Sequence, residues 1–312
     1  MLRAAFVLVH SAHMQKPKIV AIVGPTASGK TSLSIEVAKH FNGEVISADS
    51  RQVYKGLDIG SGKVTKEEMG GIPHYLLDIA EPSTTYTGAD FKRDASVAIE
   101  DILNRDRLPI IAGGTFFYIE LLRGTMQAAP VEPNEELREE LEKLDDEALL
   151  AQLSTKDPER AANIDIHNRR RIIRSLEIID GIGKVPEVVQ TESPYDWLLI
   201  GIDIEKEQLH KNIHLRLQER LQNGMIEEVA TLLESGITSE RLESLGLEYR
   251  YINRFLSGEL SREAMEIELE TKIKQFAKRQ MTWLRKDESI EWFKKEELEN
   301  ITKRVEEFLA DK

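Results

Sequence analysis

The chain of 312 residues contains no cysteine, which excludes disulfide bonds and metal sites built from thiolates. It also has no apolar run of 18 residues, so the sequence offers no segment that could span a membrane as a helix. Internal repeats and low-complexity tracts are missing as well. With 41% hydrophobic and 31% charged residues, the composition is typical of a soluble globular protein. The lack of cysteine favours a reducing cytoplasm.

The start of the chain carries an apolar stretch that is too short for a signal peptide, and no small-residue cleavage site follows it. We therefore expect residues 1–17 to be a disordered extension, or translation to start at Met14. The folded part is then expected to begin at residue 18.

Acidic residues predominate, since the formal net charge is −13, and this argues against non-specific nucleic-acid binding by the whole surface. Two segments nevertheless lack acidic residues. Residues 167–174 contain four arginines, and residues 272–286 contain six lysines and arginines. A single basic run is usually a solvated helix face, but two acid-free runs in so acidic a chain favour local anion-binding surfaces.

The most specific local motif is a phosphate-binding loop, G-x-x-x-x-G-K-[ST]. It lies between an apolar run that predicts a buried strand and a segment with helical spacing. Backbone N–H groups and the positive end of the helix would hold phosphate oxygens there. Lys30 would add a full charge, and Thr31 a hydroxyl ligand for Mg²⁺. The predicted diphosphate-binding residues of this loop are Gly24, Pro25, Thr26, Ala27, Ser28, Gly29, Lys30 and Thr31.

Strand and helix patterns alternate along residues 18–115, which indicates a mostly parallel sheet. Residues 116–195 are instead helical and polar, and an apolar strand then returns the chain to the sheet. We predict an α/β fold in which residues 18–115 and 196–312 form a P-loop, kinase-like parallel-sheet core. Residues 116–195 would form a helical insertion domain.

Polar residues follow two of the predicted strands. Asp49 and Ser50 come after the second strand, and Thr115 closes the Gly113-Gly114-Thr115 turn after the strand at 108–112. Ligands of parallel sheets bind beyond the carboxyl ends of the strands, so these side chains should converge on the phosphate loop.

The aspartate that nucleotide-hydrolysing proteins carry at the end of a neighbouring strand is replaced here by that Gly-Gly-Thr turn. The acid is instead Asp49. Two classes of enzyme therefore compete at this point: a phosphoryl-transferring kinase of a small metabolite, and an enzyme that holds a diphosphate as a leaving group.

Several blocks in this order resemble the bacterial tRNA dimethylallyltransferases, also called tRNA isopentenyltransferases. The resemblance covers residues 18–292, and the second, fifth and sixth blocks are the specific ones. The blocks are Gly24 to Thr31, Asp49-Ser50-Arg51-Gln52-Val53-Tyr54, Asp58-Ile59-Gly60-Ser61-Gly62-Lys63, Pro73-His74-Tyr75-Leu76-Leu77-Asp78, Gly113-Gly114-Thr115 and Ala277-Lys278-Arg279-Gln280-Met281-Thr282-Trp283-Leu284-Arg285.

The resemblance implies transfer of a dimethylallyl group from dimethylallyl diphosphate to N6 of adenosine-37, beside the tRNA anticodon. Asp49 would be the catalytic base, with a helix cap or a Mg²⁺ ligand as the alternatives. Thr115 would either hydrogen-bond the bridging oxygen of the diphosphate or hold the acceptor amine. Arg216 resembles a diphosphate-binding arginine, although an earlier family arginine of that helix aligns with Asn212. Mg²⁺ is the implied cofactor.

The implied tRNA contacts fall on two parts of the chain. Asp49, Ser50, Arg51, Gln52 and Thr115 resemble the channel for the extruded base, and Arg138, Arg170, Arg171, Ile172, Ile173 and Arg174 belong to the insertion. The sequence departs from the family pattern at residues 245–250, so no contact is assigned there. The 278–280 block would join the last helix to the core or contact phosphate, and Trp283 would lie in the core.

The implied partners are the anticodon stem-loop of tRNA and dimethylallyl diphosphate, in the cytoplasm. We expect a monomer without an obligatory protein partner. A kinase, or a nucleotide-gated tRNA-binding protein without chemistry, remains the alternative.

Overall fold

The computed structural model of the protein describes residues 16–128, 131–187 and 189–311. The extension predicted at residues 1–17 lies outside the described residues except for its last two. Those two are packed, because Lys16 pairs with Glu192 and the Pro17 carbonyl accepts a hydrogen bond from Asp196 N at 2.9 Å. These two residues are therefore attached to the rest of the fold, contrary to the disorder expected for residues 1–17.

A six-stranded sheet in which every pairing is parallel forms the centre of the protein. Its strand order is β3-β2-β4-β1-β5-β6. Because helices cover both faces of such a sheet, its strands are mostly apolar, and residues 19–23 of the central strand are at most 1% exposed. The predicted α/β class is confirmed. The strands are β1 (Lys18–Val23), β2 (Gly43–Ser47), β3 (His74–Tyr75), β4 (Leu108–Gly113), β5 (Asp196–Ile202) and β6 (Ile290–Phe293).

The described residues form fourteen helices. Four precede residue 124: α1 (Lys30–His40), α2 (Lys66–Met69), α3 (Gly88–Asn104) and α4 (Phe116–Arg123). Four lie between residues 124 and 191: α5 (Glu135–Glu142), α6 (Asp146–Lys156), α7 (Pro158–Asn163) and α8 (Arg169–Ile182). Six follow residue 191: α9 (Lys206–Gln222), α10 (Met225–Glu234), α11 (Ser239–Leu245), α12 (Leu247–Leu256), α13 (Arg262–Leu284) and α14 (Leu298–Ala310). None of these helices combines the length and the hydrophobicity that crossing a bilayer requires.

Two compact units make up the chain, residues 1–123 with 192–312 and residues 124–191. In the first, α1 and α14 pack on the sheet through Leu33, Val37, Ile301 and Val305. Helices α9 to α13 build a second apolar cluster around Leu217, Tyr249 and Leu269.

The second unit has an apolar core of its own, which includes Leu149, Leu153 and Leu176. It is shorter than the predicted insertion of residues 116–195, because α4 belongs to the first unit. The α4 side chains explain this difference. Tyr118 stacks on Phe91 of α3 with ring centroids 4.1 Å apart, and most of the helix is buried.

Three local features differ from the sequence expectation. The apolar pattern of residues 74–79 predicts a strand, but the strand ends at Tyr75, since Leu76 has a φ of +62° that extended backbone cannot accommodate. The pattern of residues 209–233 predicts one helix, but Gly224, with a φ of +97°, separates α9 from α10. Trp283, predicted in the core, is 38% exposed.

Candidate functional site: a cation-lined diphosphate loop beside an acidic strand end

The phosphate-binding loop connects β1 to α1 as its motif predicts. Gly29 has a φ of +93° and directly precedes the first residue of α1, and no side chain caps that helix. The first N–H groups of α1, which have no partners within the helix, are therefore available to an anion. The Ser28 hydroxyl is buried in this loop without a hydrogen-bond partner among the described residues. The loop thus has the backbone geometry of an anion site.

Lys30 places its ammonium group against the same loop. Its Nζ donates to the Pro25 carbonyl at 2.7 Å. Loss of solvation and then the positive charge of Arg216 lower the pKa of Lys30 to about 7, while Asp49 acts in the opposite direction. Without an anion, the site therefore disfavours the charged form of its own lysine.

Arg216 reaches the loop from α9. Its Nη2 donates to the Gly62 carbonyl at 3.4 Å. Burial and the neighbouring Arg220 lower the pKa of Arg216 to about 10. One turn earlier in α9, Asn212 Nδ2 donates to the Ala27 carbonyl at 3.1 Å. Helix α9 is thus hydrogen-bonded to the phosphate loop and carries a second cation toward it.

A cavity of about 940 Å³ lies over the loop. Its walls are the phosphate loop, the α9 face that carries Asn212 and Arg216, and residues 294–296 after β6. A volume of this size suits a small organic ligand. Both cations, Lys30 and Arg216, line it.

The segment that supplies the Gly62 carbonyl is held by Glu228 of α10. The Glu228 carboxylate accepts the N–H groups of Asp58 at 2.9 Å, Ile59 at 2.6 Å and Gly60 at 3.0 Å. Tyr249 Oη also donates to this carboxylate, at 3.0 Å. Sequence analysis gave Glu228 no role, since a glutamate on an amphipathic helix carries no visible motif.

The ends of β2 and β4 meet as predicted. Ser50 N donates to Thr115 Oγ1 at 3.1 Å, and Thr115 N donates to the Ala48 carbonyl at 3.0 Å. A side chain at Gly113 would overlap the Ala48 backbone, so this close approach requires glycine. Because Thr115 Oγ1 already accepts a hydrogen bond, its own proton is free to be donated elsewhere.

Asp49 lies at the same edge of the sheet. Its Oδ1 accepts a hydrogen bond from Arg51 N at 2.8 Å, while no side-chain or backbone donor within the described chain reaches Oδ2. Its charge acts on both Lys30 and Arg216, which places the carboxylate near the cation pair. Oδ1 is therefore held in place by Arg51 N, and Oδ2 is available to accept a hydrogen bond from a ligand.

Two further members of the predicted channel follow Asp49. Burial lowers the pKa of Arg51, and its guanidinium has no hydrogen-bond acceptor in the part of the chain that the structure describes. Gln52 is used structurally, since its Nε2 donates to the Gly62 carbonyl at 3.1 Å and its Oε1 accepts from the Ser47 hydroxyl at 3.0 Å. Of the two, Arg51 is the residue with free donors.

Gln280 of α13 joins the two ends of the site. Thr26 N donates to Gln280 Oε1 at 2.9 Å, and Gln280 Nε2 donates to the Gly114 carbonyl at 2.8 Å. The Lys278–Gln280 block therefore joins the last helices to the core, the first of the two roles that the sequence left open. Lys278 and Arg279 themselves are exposed.

In the second unit, the structure separates the predicted tRNA contacts into three groups. Arg170 and Arg171 are exposed and their guanidinium groups have no partner among the described residues. Ile172 and Ile173 are 0% and 4% exposed, so the RNA contact predicted for them is unavailable to their side chains.

Arg138 and Arg174 form the third group, because both pair with the buried carboxylate of Glu177. Burial alone would raise the pKa of Glu177, but Arg174, Asn134 N and Arg138 together lower it. An unpaired buried carboxylate is costly, so these two arginines are committed to the fold. The prediction that they contact tRNA is not supported by their surroundings.

The described residues contain no cluster of three or more His, Asp or Glu side chains that could hold a metal ion. The Thr31 side chain is exposed in the first turn of α1, and its hydroxyl makes no hydrogen bond within the described residues. Mg²⁺ at such a loop takes most of its ligands from substrate phosphates and water, so the residues present fit the ion in that way only.

A parallel α/β core, a phosphate-loop motif beside Lys30 and Arg216 and an acid at the neighbouring strand end together define the class of protein: an α/β protein that carries a P-loop motif. Comparison with known proteins narrows this class. The family model described as "IPP transferase" matches residues 52–287. The chain belongs to this IPP transferase family, as its sequence blocks predicted.

Individual members of known name are similar to this chain in sequence and in structure. The tRNA dimethylallyltransferase of Thermoanaerobacter sp. (strain X514) is 40% identical over 95% of this chain and 98% of its own. The crystal structure of the tRNA isopentenylpyrophosphate transferase from Bacillus halodurans is similar with a TM-score of 0.71 and 37% identity, covering 94% of this chain and 96% of that one. A eukaryotic dimethylallyltransferase acting on tRNA aligns with a TM-score of 0.73 at 30% identity, over 86% and 70% of the two chains.

Proposed function

We propose that this chain is a tRNA dimethylallyltransferase, which transfers the dimethylallyl group of dimethylallyl diphosphate to N6 of adenosine-37 and releases diphosphate. The observation that carries the proposal is the juxtaposition of Lys30 and Arg216 in the cavity over the phosphate loop with a carboxylate at the adjoining strand end. The family to which the chain belongs supports it.

Departure of the diphosphate is the step that the phosphate loop would serve. When the allylic C1–O bond breaks, negative charge develops on the leaving oxygens. Lys30, Arg216 and the N–H groups at the start of α1 are fixed donors for that charge. The loss of solvation and the repulsion by Arg216 that lower the pKa of Lys30 would be offset by the same charge, so binding strengthens as the bond breaks.

The acceptor amine must lose a proton as the new C1–N6 bond forms. Asp49 Oδ2 is free among the described residues to take it, and Oδ1 is held by Arg51 N, which fixes the carboxylate plane. Thr115 would donate a hydrogen bond from its hydroxyl to the bridging oxygen of the diphosphate, because its oxygen already accepts one from Ser50 N. The proton, the leaving group and the new bond are then all accounted for.

Mg²⁺ is proposed as the cofactor, with the Thr31 hydroxyl as its protein ligand. When bound, the ion would neutralise part of the charge on the diphosphate. Lys30 and Arg216 would supply the remaining positive charge from the protein.

For tRNA, we propose that Arg170 and Arg171 contact phosphates and that Arg51 contacts the extruded nucleotide. Each of these guanidinium groups is without a protein acceptor among the described residues. Phosphate contacts of this kind make binding depend on salt. We place the reaction in the cytoplasm, where unmodified tRNA is available, and propose that one chain carries out the whole reaction.

The test is incubation of the purified chain with unmodified tRNA and dimethylallyl diphosphate labelled in the dimethylallyl group. Label should appear in acid-precipitable RNA, and a tRNA carrying guanosine at position 37 should remain unlabelled. A parallel reaction with γ-labelled ATP tests the kinase alternative. Transfer of the γ-phosphate to a small molecule, without labelling of RNA, would refute the proposal.

A further inference from the structure

Lys295, in the segment after β6, lies directly against the phosphate loop. A methyl group built on Gly29 would be 2.8 Å from its Cδ and 3.1 Å from its Nζ. Gly29 is the residue before α1, where the helix presents its positive end. The ammonium group of Lys295 therefore lies where a cation is disfavoured unless an anion is bound.

The structure gives Lys295 no ion pair or hydrogen bond within the described residues. Six acidic residues line the same cavity. Glu36 pairs with Lys39 at 3.0 Å, Glu68 caps the N-terminus of α2 and Asp203 pairs with Arg285. The other three are exposed and make no ion pair with Lys295: Glu205, Glu219 and Glu296. The ammonium group of Lys295 is therefore not held in an ion pair and is available to an anion beside Lys30 and Arg216.

The backbone that carries Lys295 is fixed at both ends. Asp203 N, after β5, donates to the Phe293 carbonyl at 2.8 Å. Lys294 N donates to Glu297 Oε2 at 2.8 Å, and Glu297 N donates back to the Lys294 carbonyl at 3.0 Å. The lysine is therefore delivered to the loop by the junction of β6 and α14.

We propose that Lys295 is a third cation for the diphosphate of the donor, binding its non-bridging oxygens beside Lys30 and Arg216. This inference rests on the proposed function for the identity of the ligand. Hydrogen bonds from a cation to an anionic oxygen are stronger than neutral ones, but exposure weakens them. We expect loss of Lys295 to weaken diphosphate binding about fivefold.

The experiment measures the binding of inorganic pyrophosphate to the full chain by calorimetry, without tRNA. Lys295→Met should weaken binding about fivefold, whereas Lys295→Arg should retain most of the affinity because it keeps the charge. The matched control is Lys303→Met, which removes an exposed lysine of α14 that does not line the cavity. Equal melting temperatures for the variants show that the fold is intact.

Two results would overturn the inference: wild-type affinity in Lys295→Met, or an equal loss in Lys295→Met and Lys303→Met, which would indicate a general charge effect. The tRNA-labelling assay separates this failure from failure of the proposed function. If wild type labels tRNA and Lys295→Met keeps its KM for dimethylallyl diphosphate, only the assignment of Lys295 is wrong. If the pyrophosphate results agree with expectation but no variant labels tRNA, the cation site remains and the proposed reaction is wrong.

Discussion

Binding of a diphosphate to this protein should be coupled to the uptake of a proton by Lys30. The pKa of Lys30 is lowered from 10.5 to about 7 by burial and by Arg216. A bound diphosphate supplies the missing negative charge and must raise that pKa. Well below pH 7 the lysine is charged in both the free and the bound protein, so almost no proton is exchanged. Above pH 7 the free lysine is increasingly neutral and has to be protonated on binding.

The magnitude follows from the pKa. At pH 8 a group with a pKa of about 7 is roughly nine-tenths deprotonated, so binding should take up close to one proton. At pH 6 the uptake should fall to about one-tenth of a proton. Affinity should decrease about tenfold for each pH unit above 7, until the pKa of the bound state is reached.

Calorimetry with inorganic pyrophosphate, in buffers of different ionisation enthalpy, measures this uptake directly. Pyrophosphate itself exchanges protons in this range, so the contribution of Lys30 is the difference between wild type and Lys30→Arg, whose guanidinium stays protonated. The uptake at pH 8 should be larger in wild type than in the variant by most of a proton. Equal uptake in the two proteins would refute the argument that Lys30 is neutral in the free site.

Four further variants test other parts of the protein. Asp49→Asn should lower turnover by about 10²- to 10⁴-fold, because the base is lost. The affinity for tRNA, measured by filter binding, should change by less than about twofold. Unchanged turnover would exclude Asp49 as the base. Glu228→Ala should destabilise the fold by about 3 kcal/mol in urea unfolding, since three backbone N–H groups lose a charged acceptor, and wild-type stability would contradict its anchoring role. Arg171→Ala should weaken tRNA binding and reduce the slope of log affinity against log salt by about one. In contrast, Arg138→Ala should chiefly lower the melting temperature; if instead it alone changes the salt slope, the two residues have been assigned the wrong way round.

The parts of the site that the sequence could predict are those in which neighbouring residues act together or in which strand ends share an edge. The phosphate loop is a contiguous motif between a strand and a helix. Asp49 and Thr115 were expected to converge because parallel strands end at the same edge, and the hydrogen bond from Ser50 N to Thr115 Oγ1 confirms that convergence. The order of all six strands could not be predicted from the sequence, since β6 is a four-residue strand.

The partners of contacts between distant segments were not predictable in this way, although joining the last helix to the core was one of the two roles expected of residues 278–280. Gln280 meets Thr26 across 254 residues, and Glu228 meets the Asp58–Gly60 backbone across about 170. Both are side-chain to backbone bonds, whose existence depends on how helices dock rather than on local pattern. Lys295 belongs to the same group, because its position depends on the junction of β6 and α14.

The basic run at 167–174 does not form a single tRNA-binding surface, although its sequence favours an anion-binding surface. Within α8, Ile172 and Ile173 share a face with Leu176 and Ile179, a helical spacing that marks core positions. Arg170 and Arg171 lie on the exposed side. The helical period of 3.6 residues is sufficient to separate the buried isoleucines of this run from its exposed arginines.

The central claim is that the phosphate loop holds a leaving diphosphate rather than a phosphate donor. The most direct measurement is the ratio of inorganic pyrophosphate released to dimethylallyl groups incorporated into tRNA, followed in one reaction without ATP. A ratio of about one, from C1–O cleavage coupled to N6 alkylation, is what this account predicts. Two results would contradict this account. One is pyrophosphate release that does not accelerate when tRNA is added and does not match incorporation of dimethylallyl groups. The other is incorporation that requires ATP hydrolysis.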